Sequence, residues 1–174
     1  VVIIISAGAV SAESGVVADS ILSRGITRYA YILSKYASRL FTALVVCGVV
    51  ILPLAFFAGL HLSGDVAAKG VAIALTYILV HITFLTVLGV TFSIWFDRAI
   101  VGIAVLWLMC YFFGAICSAL DVGFMAPMRL VRDISAALNG RGDAGDLWRA
   151  CAGFGAPSIV LCALGTMWFA RRDV

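Results

Sequence analysis

Residues 71–96 read VAIALTYILVHITFLTVLGVTFSIWF, and this stretch decides the fold of the chain. It contains no Asp, Glu, Lys or Arg. At a rise of about 1.5 Å per residue, a helix of this length exceeds the roughly 30 Å hydrocarbon core of a bilayer. One charged side chain at its centre would cost about 2.5 to 3.5 kcal/mol on insertion. The absence of charge therefore predicts a membrane-spanning helix.

Three further stretches are equally free of charge: residues 40–60, 99–120 and 150–170. The whole chain is 64% hydrophobic and only 12% charged, whereas about 25% of residues are charged in globular proteins. We therefore predict an all-α, polytopic transmembrane helical bundle with four complete spans. Residues 1–12 are apolar but too short to cross a bilayer, and we interpret them as the end of an earlier span whose beginning is missing.

The basic residues predict the orientation of these spans. Residues 13–39 form a polar island with four Lys and Arg, the link at 97–98 adds one, and the C-terminal tail adds two. On the other side lie Lys69 and the segment 121–148, whose arginines are balanced by aspartates. Because short cytoplasmic loops are enriched in Lys and Arg, the island, the link and the C-terminus are expected to be cytoplasmic. Segment 121–148 is then expected to be extracellular, either as a helical hairpin with a helix from about Met128 to Leu138 or as a plain amphipathic surface loop.

The polar island divides at Gly25. Glycine costs about 1 kcal/mol relative to alanine inside a helix, and Thr27 is a suitable N-cap for a helix that follows. The sequence thus predicts one short helix over 14–23 and a second that starts at Arg28 and enters the membrane. A simpler alternative is a solvated basic flank that attracts anionic lipid, worth about 1 kcal/mol per Lys or Arg, and fixes the topology.

The order of residues in the island resembles the coupling region of ABC type-2 transporter permeases. Glu13 and Gly15 match the acidic, glycine-containing start of the coupling helix, and residues 26–28 match the turn that follows. Lys35 matches the basic residue that precedes the third span, and residues 169–173 resemble the short charged ending of these permeases. The resemblance implies a role for seven residues in coupling to a partner: Glu13, Gly15, Val17, Ile21, Leu22, Arg28 and Lys35.

The resemblance also implies an assembly. The full subunit is expected to have six spans, to pair with a second permease subunit as a homo- or heterodimer, and to lie in a bacterial inner membrane. Because the chain lacks the motif G-x-x-x-x-G-K-[ST], ATP and Mg are expected in a separate ATP-binding cassette subunit. The chain itself is then expected to be a permease for export, with no cofactor of its own and no enzymatic activity.

One face of the span at 71–96 predicts a substrate pathway. Its members recur at helical spacing and are Tyr77, His81, Phe84, Leu88, Thr91 and Trp95. An ionisable residue within a span is a functional candidate, so Tyr77, His81, Phe84 and Trp95 are the candidate pathway residues. The alternative is a neutral His81 that is hydrogen-bonded to a neighbouring helix, with the aromatic residues as packing.

Other functions stay open or are disfavoured by the pattern. A non-transporting membrane scaffold or an assembly or maturation factor would have the same spans and need no ATPase partner. The five cysteines show no C-x-x-C spacing, so no metal site is predicted. No span holds a His-Glu, Ser-His or paired-Asp arrangement, which disfavours an intramembrane enzyme. The net charge of +3 bears on orientation in the membrane, and no nucleic-acid partner is expected.

Overall fold

The computed structural model describes residues 27–61, 68–96, 98–119, 127–139 and 144–171. Every regular element in these ranges is an α-helix, which confirms the all-α class. The helices are α1 (Arg28–His61), α2 (Ala68–Trp95), α3 (Ala99–Ala119), α4 (Pro127–Leu138) and α5 (Ala144–Arg171). Residues 1–26, which include the end of an earlier span and the short helix over 14–23 that the sequence predicts, lie outside the described residues.

Three of these helices are long and apolar enough to cross a membrane. The qualifying stretches are Arg28–Pro53 in α1, Lys69–Trp95 in α2 and Gly145–Arg171 in α5, which is compatible with an integral membrane protein. The apolar part of α3, Ile100–Ile116, is shorter, so the predicted count of four spans is not confirmed.

Two helices begin where polar side chains stabilise their first turns. The backbone N–H of Ala30 donates to Oγ1 of Thr27 at 3.3 Å, which confirms Thr27 as the N-cap of α1. Helix α5 begins at Ala144, before the charge-free stretch, and its first turns carry an exposed ion pair between Asp146 and Arg149 at 3.4 Å.

Helix α2 lies at the centre and packs against each of the other four described helices. One buried cluster joins the start of α1 to the ends of α2 and α5, and includes Tyr31, Ile94 and Phe169. A second cluster joins the starts of α2 and α5 to α4, and includes Ile73 and Ala150. Consequently α1 runs antiparallel to α2, whereas α5 runs parallel to α2.

This arrangement separates the charges of the described residues. The end formed by the start of α1, the α2–α3 link and the end of α5 carries Arg28, Lys35, Arg98 and Arg171, and we name it the basic end. The opposite end carries charges of both signs, among them the pair of Asp146 and Arg149. The polar island, the link and the tail, which the sequence predicts on one side, thus meet at one end wherever the structure describes them.

Helix α4 lies across the end opposite the basic end. Ile134, Ala137 and Leu138 pack against the start of α2, while Arg132 and Ser135 are exposed. The bounds of α4 agree with the helix that the sequence predicts from about Met128 to Leu138.

The contact between α4 and α2 depends on Gly70. A Cβ atom at Gly70 would overlap the backbone carbonyl oxygen of Ala137. A backbone atom cannot move aside as a flexible side chain can, so only glycine permits this approach of the two helices.

Near the basic end, α1, α2 and α5 meet at a buried polar junction. The hydroxyl of Tyr36 lies 2.9 Å from Oγ1 of Thr91, which in turn lies 2.8 Å from the carbonyl oxygen of Val87 and 3.4 Å from that of Leu161. Gly165 leaves space for the Tyr36 hydroxyl, because a Cβ atom there would overlap it. The hydrogen bond between Tyr36 and Thr91, and the lack of a side chain at Gly165, together let the three helices pack closely at this point.

Candidate functional site

The predicted substrate-pathway stripe lies on one face of α2, but its members meet different neighbours. Tyr77 is buried in the cluster beneath α4. His81 and Phe84 both face Phe154 of α5, with ring centroids 4.9 Å and 5.4 Å away. Trp95, at the basic end, is 40% exposed and lies 5.5 Å from the ring of Phe92. Packing against α4 and α5 therefore accounts for most of this stripe.

His81 is the polar exception in this packed region. Its ring meets Phe154 edge to face, with an interplanar angle of 80°. Among the side chains that the structure describes, Nδ1 of His81 is the one buried nitrogen or oxygen without a hydrogen-bond partner. The alternative interpretation of His81, in which it bonds to a neighbouring helix, has no such bond to Nδ1 within the described residues. A buried polar atom without a partner costs about 1 to 3 kcal/mol, which makes His81 a site where a ligand would add stability.

An apolar groove of about 480 Å³ lies between α2, α3 and α5. Its walls are formed by Phe84, Leu88 and Phe92 of α2, by Leu106, Met109 and Cys110 of α3, and by Gly153, Phe154, Pro157, Val160 and Leu161 of α5. The volume falls within the roughly 300 to 1,000 Å³ range of small-molecule sites. None of these described side chains is charged, so the groove suits an apolar ligand.

The α5 wall of this groove is interrupted at Pro157. Proline lacks an N–H group, so the carbonyl of Gly153, four residues earlier, loses its helical donor. The next carbonyl, that of Phe154, accepts a hydrogen bond from the hydroxyl of Ser158 at 2.6 Å. Gly153 also adds no side chain to the groove.

The predicted coupling residues fall mostly outside the described part of the chain. Glu13, Gly15, Val17, Ile21 and Leu22 precede residue 27 and are not among the described residues.

Arg28 and Lys35, the other two predicted coupling residues, are described, and both lie at the basic end. Nζ of Lys35 lies 5.4 Å from the centroid of the Tyr31 ring. That ring stacks on Phe169 with centroids 5.9 Å apart. These contacts tie the first turns of α1 to the end of α5.

Sequence reasoning missed two parts of this region. It placed Thr91 in the substrate-pathway stripe, whereas the structure buries Thr91 completely in the junction with Tyr36. It also gave no sign of the groove, because Leu106 and Cys110 contribute to it only through the packing of α3 beside α2 and α5. Gly165 was a signal for the junction, because a glycine within a span permits close helix contact.

Within the described ranges, no group of three His, Cys, Asp or Glu side chains is placed to hold a metal ion. No protein-family model matches the chain, and neither a curated protein nor a solved structure matches it.

Proposed function

We propose that the chain is the membrane-spanning permease subunit of an ATP-driven ABC exporter. Its spans form part of the substrate pathway, and its cytoplasmic island couples them to a separate ATP-binding cassette subunit that binds ATP and Mg. A second permease subunit, identical or different, completes the pathway. The residues that carry this proposal are those of the island, where Glu13, Gly15, Arg28 and Lys35 resemble the coupling region of type-2 permeases.

The observation that best supports the proposal is the construction of the basic end. The island runs directly into α1, whose first turns pack on the ends of α2 and α5 through Tyr31 and Phe169. A partner that pushed on the island would therefore act on three helices together. The concentration of Arg28, Lys35, Arg98 and Arg171 at this end supports a cytoplasmic orientation by the positive-inside rule.

The finer topology belongs to the same proposal. Helix α3 follows α2 after a short link and returns toward the end where α4 lies. We therefore count it as a fourth crossing, because its 21 residues extend for about 31 Å at 1.5 Å per residue, which matches the roughly 30 Å hydrocarbon core. With α4 on the outer face, the C-terminus lies in the cytoplasm of a bacterial inner membrane.

The test is stimulation of ATP hydrolysis by the chain. The candidate ATP-binding subunit, recognised by its phosphate-binding motif, is purified alone and with the full chain in lipid nanodiscs, and its ATPase rate is compared. Ile21→Asp and Leu22→Asp place a charge on the proposed docking helix and should abolish the stimulation. Ser135→Asp adds the same charge to an exposed position on α4, at the opposite end, and should leave stimulation unchanged.

Two results would refute this assignment. One is failure of the chain to copurify with the candidate ATP-binding subunit under mild detergent conditions that keep the chain folded. The other is stimulation that persists in both island variants. Membrane insertion of each variant is checked in parallel, because loss of the protein from the membrane would mimic loss of coupling.

A membrane scaffold or assembly factor is the second candidate. It is favoured by the packing of the pathway stripe, since Tyr77, His81 and Phe84 contact α4 or α5 side chains. A scaffold would copurify with other membrane proteins and would leave the ATPase rate of any partner unchanged.

A further inference from the structure

The groove between α2, α3 and α5 extends from the middle of the bundle toward the basic end, where Phe92 lies in the last turn of α2. Phe84 lies near the middle of α2, and Cys110 lies near the middle of α3. In a membrane these positions are at hydrocarbon depth, where apolar molecules are concentrated. A dry, apolar cavity much smaller than this one, of about 150 Å³, already suffices to bind benzene in an engineered protein.

The walls indicate which apolar molecules fit. Three phenyl rings line the groove, those of Phe84, Phe92 and Phe154. Aromatic rings prefer edge-to-face or offset contacts with other rings, each worth about 0.5 to 1.5 kcal/mol beyond their buried area. Met109 adds a thioether, which also favours aromatic contact. These walls favour a ring system over a flexible alkyl chain.

The margin of the groove supplies a polar group. The Phe154 ring lines the groove and also covers His81. His81 lies one helical turn before Phe84 of the groove wall, and its Nδ1 has no hydrogen-bond partner among the described residues. A change of the Phe154 rotamer would be needed to bring this nitrogen into contact with a molecule in the groove. A hydroxyl group suits this nitrogen best, since it donates to a bare Nδ1 and accepts from a protonated one.

We propose that this groove binds a small aromatic molecule bearing one hydroxyl group, which enters from the bilayer. The ring system packs among the three phenyl groups, and the hydroxyl bonds to Nδ1 of His81 when Phe154 turns aside. Binding requires neither ATP nor a partner subunit, so it stands or falls separately from the proposed export function.

Photolabelling of the full chain in lipid nanodiscs tests this. The two probes are a trifluoromethyl-diazirine derivative of benzyl alcohol and its toluene counterpart, which lacks only the hydroxyl. Labelled residues are mapped by peptide mass spectrometry, with unlabelled trifluoromethylbenzyl alcohol as competitor. We expect saturable labelling around Leu106 and Cys110, and non-saturable labelling at the outward-facing Trp107 and Tyr111, which are 64% and 78% exposed.

The variants separate the two parts of the site. Cys110→Phe fills the groove and should remove saturable labelling by both probes, whereas Cys47→Phe, on α1 and outside the groove, should not. The hydroxyl probe should half-saturate at a concentration roughly three- to ten-fold lower than the toluene probe, as expected for one hydrogen bond. His81→Leu should abolish that difference but preserve labelling by the toluene probe, and His81→Gln should restore part of it.

Three outcomes would overturn the proposal. Labelling that no competitor reduces would show mere partition into lipid. Equal half-saturation by the two probes in the unmodified chain would remove His81 from the site. Disulfide cross-linking of two copies through Cys110 under mild oxidation would show that a second copy fills the groove.

Discussion

The hydrogen bond between Tyr36 and Thr91 has a definite direction, which predicts that substitutions of the two residues lower the stability by unequal amounts. Thr91 has one hydroxyl proton and two nearby carbonyl oxygens, those of Val87 and Leu161, which only accept. The Thr91 proton therefore goes to a carbonyl, and Tyr36 must donate to Oγ1 of Thr91. In this hydrogen bond Tyr36 is the donor and Thr91 is the acceptor.

This inequality sets the expected magnitudes. Tyr36→Phe removes a donor but leaves Thr91 bonded to its carbonyl, so it should lower the free energy of unfolding by about 0.5 to 1.5 kcal/mol. Thr91→Val keeps the shape but leaves the buried Tyr36 hydroxyl without its acceptor, which should cost about 1 to 3 kcal/mol. Between helices in a membrane the coupling of two such partners averages about 0.6 kcal/mol and reaches about 1.7 kcal/mol. In the double variant, Thr91→Val should therefore cost less than it does alone.

Reversible unfolding in mixed micelles, driven by dodecyl sulfate and followed by circular dichroism, measures these differences. Thr83→Val is the matched control, because Oγ1 of Thr83 bonds only within its own helix, to the Leu79 carbonyl at 2.8 Å. Tyr29→Phe, on the exposed side of α1, controls for the loss of a phenol. The reasoning fails if Thr91→Val costs no more than Thr83→Val, or if the two junction substitutions are additive.

Three further predictions use the same measurement. Gly165→Ala should destabilise the protein by about 1 to 3 kcal/mol through overpacking, whereas Gly155→Ala on the same helix, with no atom within 4 Å of the new Cβ, should be neutral or stabilising by up to about 1 kcal/mol. Equal effects at the two glycines would contradict the close contact. Gly70→Ala should likewise cost about 1 to 3 kcal/mol and expose α4 to proteolysis, with Gly48→Ala, in open space, as the control; protection of α4 in both variants would argue against its docking on α2. Thr27→Ala should cost about 1 kcal/mol by removing the N-cap, and recovery in Thr27→Ser is the check.

The sequence predicted those features that depend on local composition. The charge-free stretch at 71–96 became α2, and Thr27 became the cap of α1 because capping needs only a side-chain oxygen and the next three residues. Helix α4 was predictable because its apolar residues Leu130, Ile134 and Leu138 recur at helical spacing. Helix α5 begins before its charge-free stretch. Its first turns contain the charged residues Asp146 and Arg149, which hydropathy does not mark as part of a span.

The sequence did not predict which helix faces meet. Tyr36 and Thr91 lie 55 residues apart, and helical periodicity says which residues share a face but not which face it packs against. The stripe with His81 illustrates this limit: it shares one face of α2, yet α4, α5 and the groove each contact a different part of it. Lipid is as apolar as a helix interior, so hydropathy does not distinguish a lipid-facing position from a buried one.

The length of α1 has a mechanical consequence. Its 34 residues extend for about 51 Å at 1.5 Å per residue, well beyond the roughly 30 Å hydrocarbon core. One end of α1 must therefore project from the bilayer or the helix must tilt steeply. The one proline within α1, Pro53, lies beyond the contact at Tyr36. No proline therefore interrupts the helix between its N-cap Thr27 and Tyr36. A displacement of the start of α1 would therefore be transmitted along a continuous helix to Tyr36 and its hydrogen bond with Thr91.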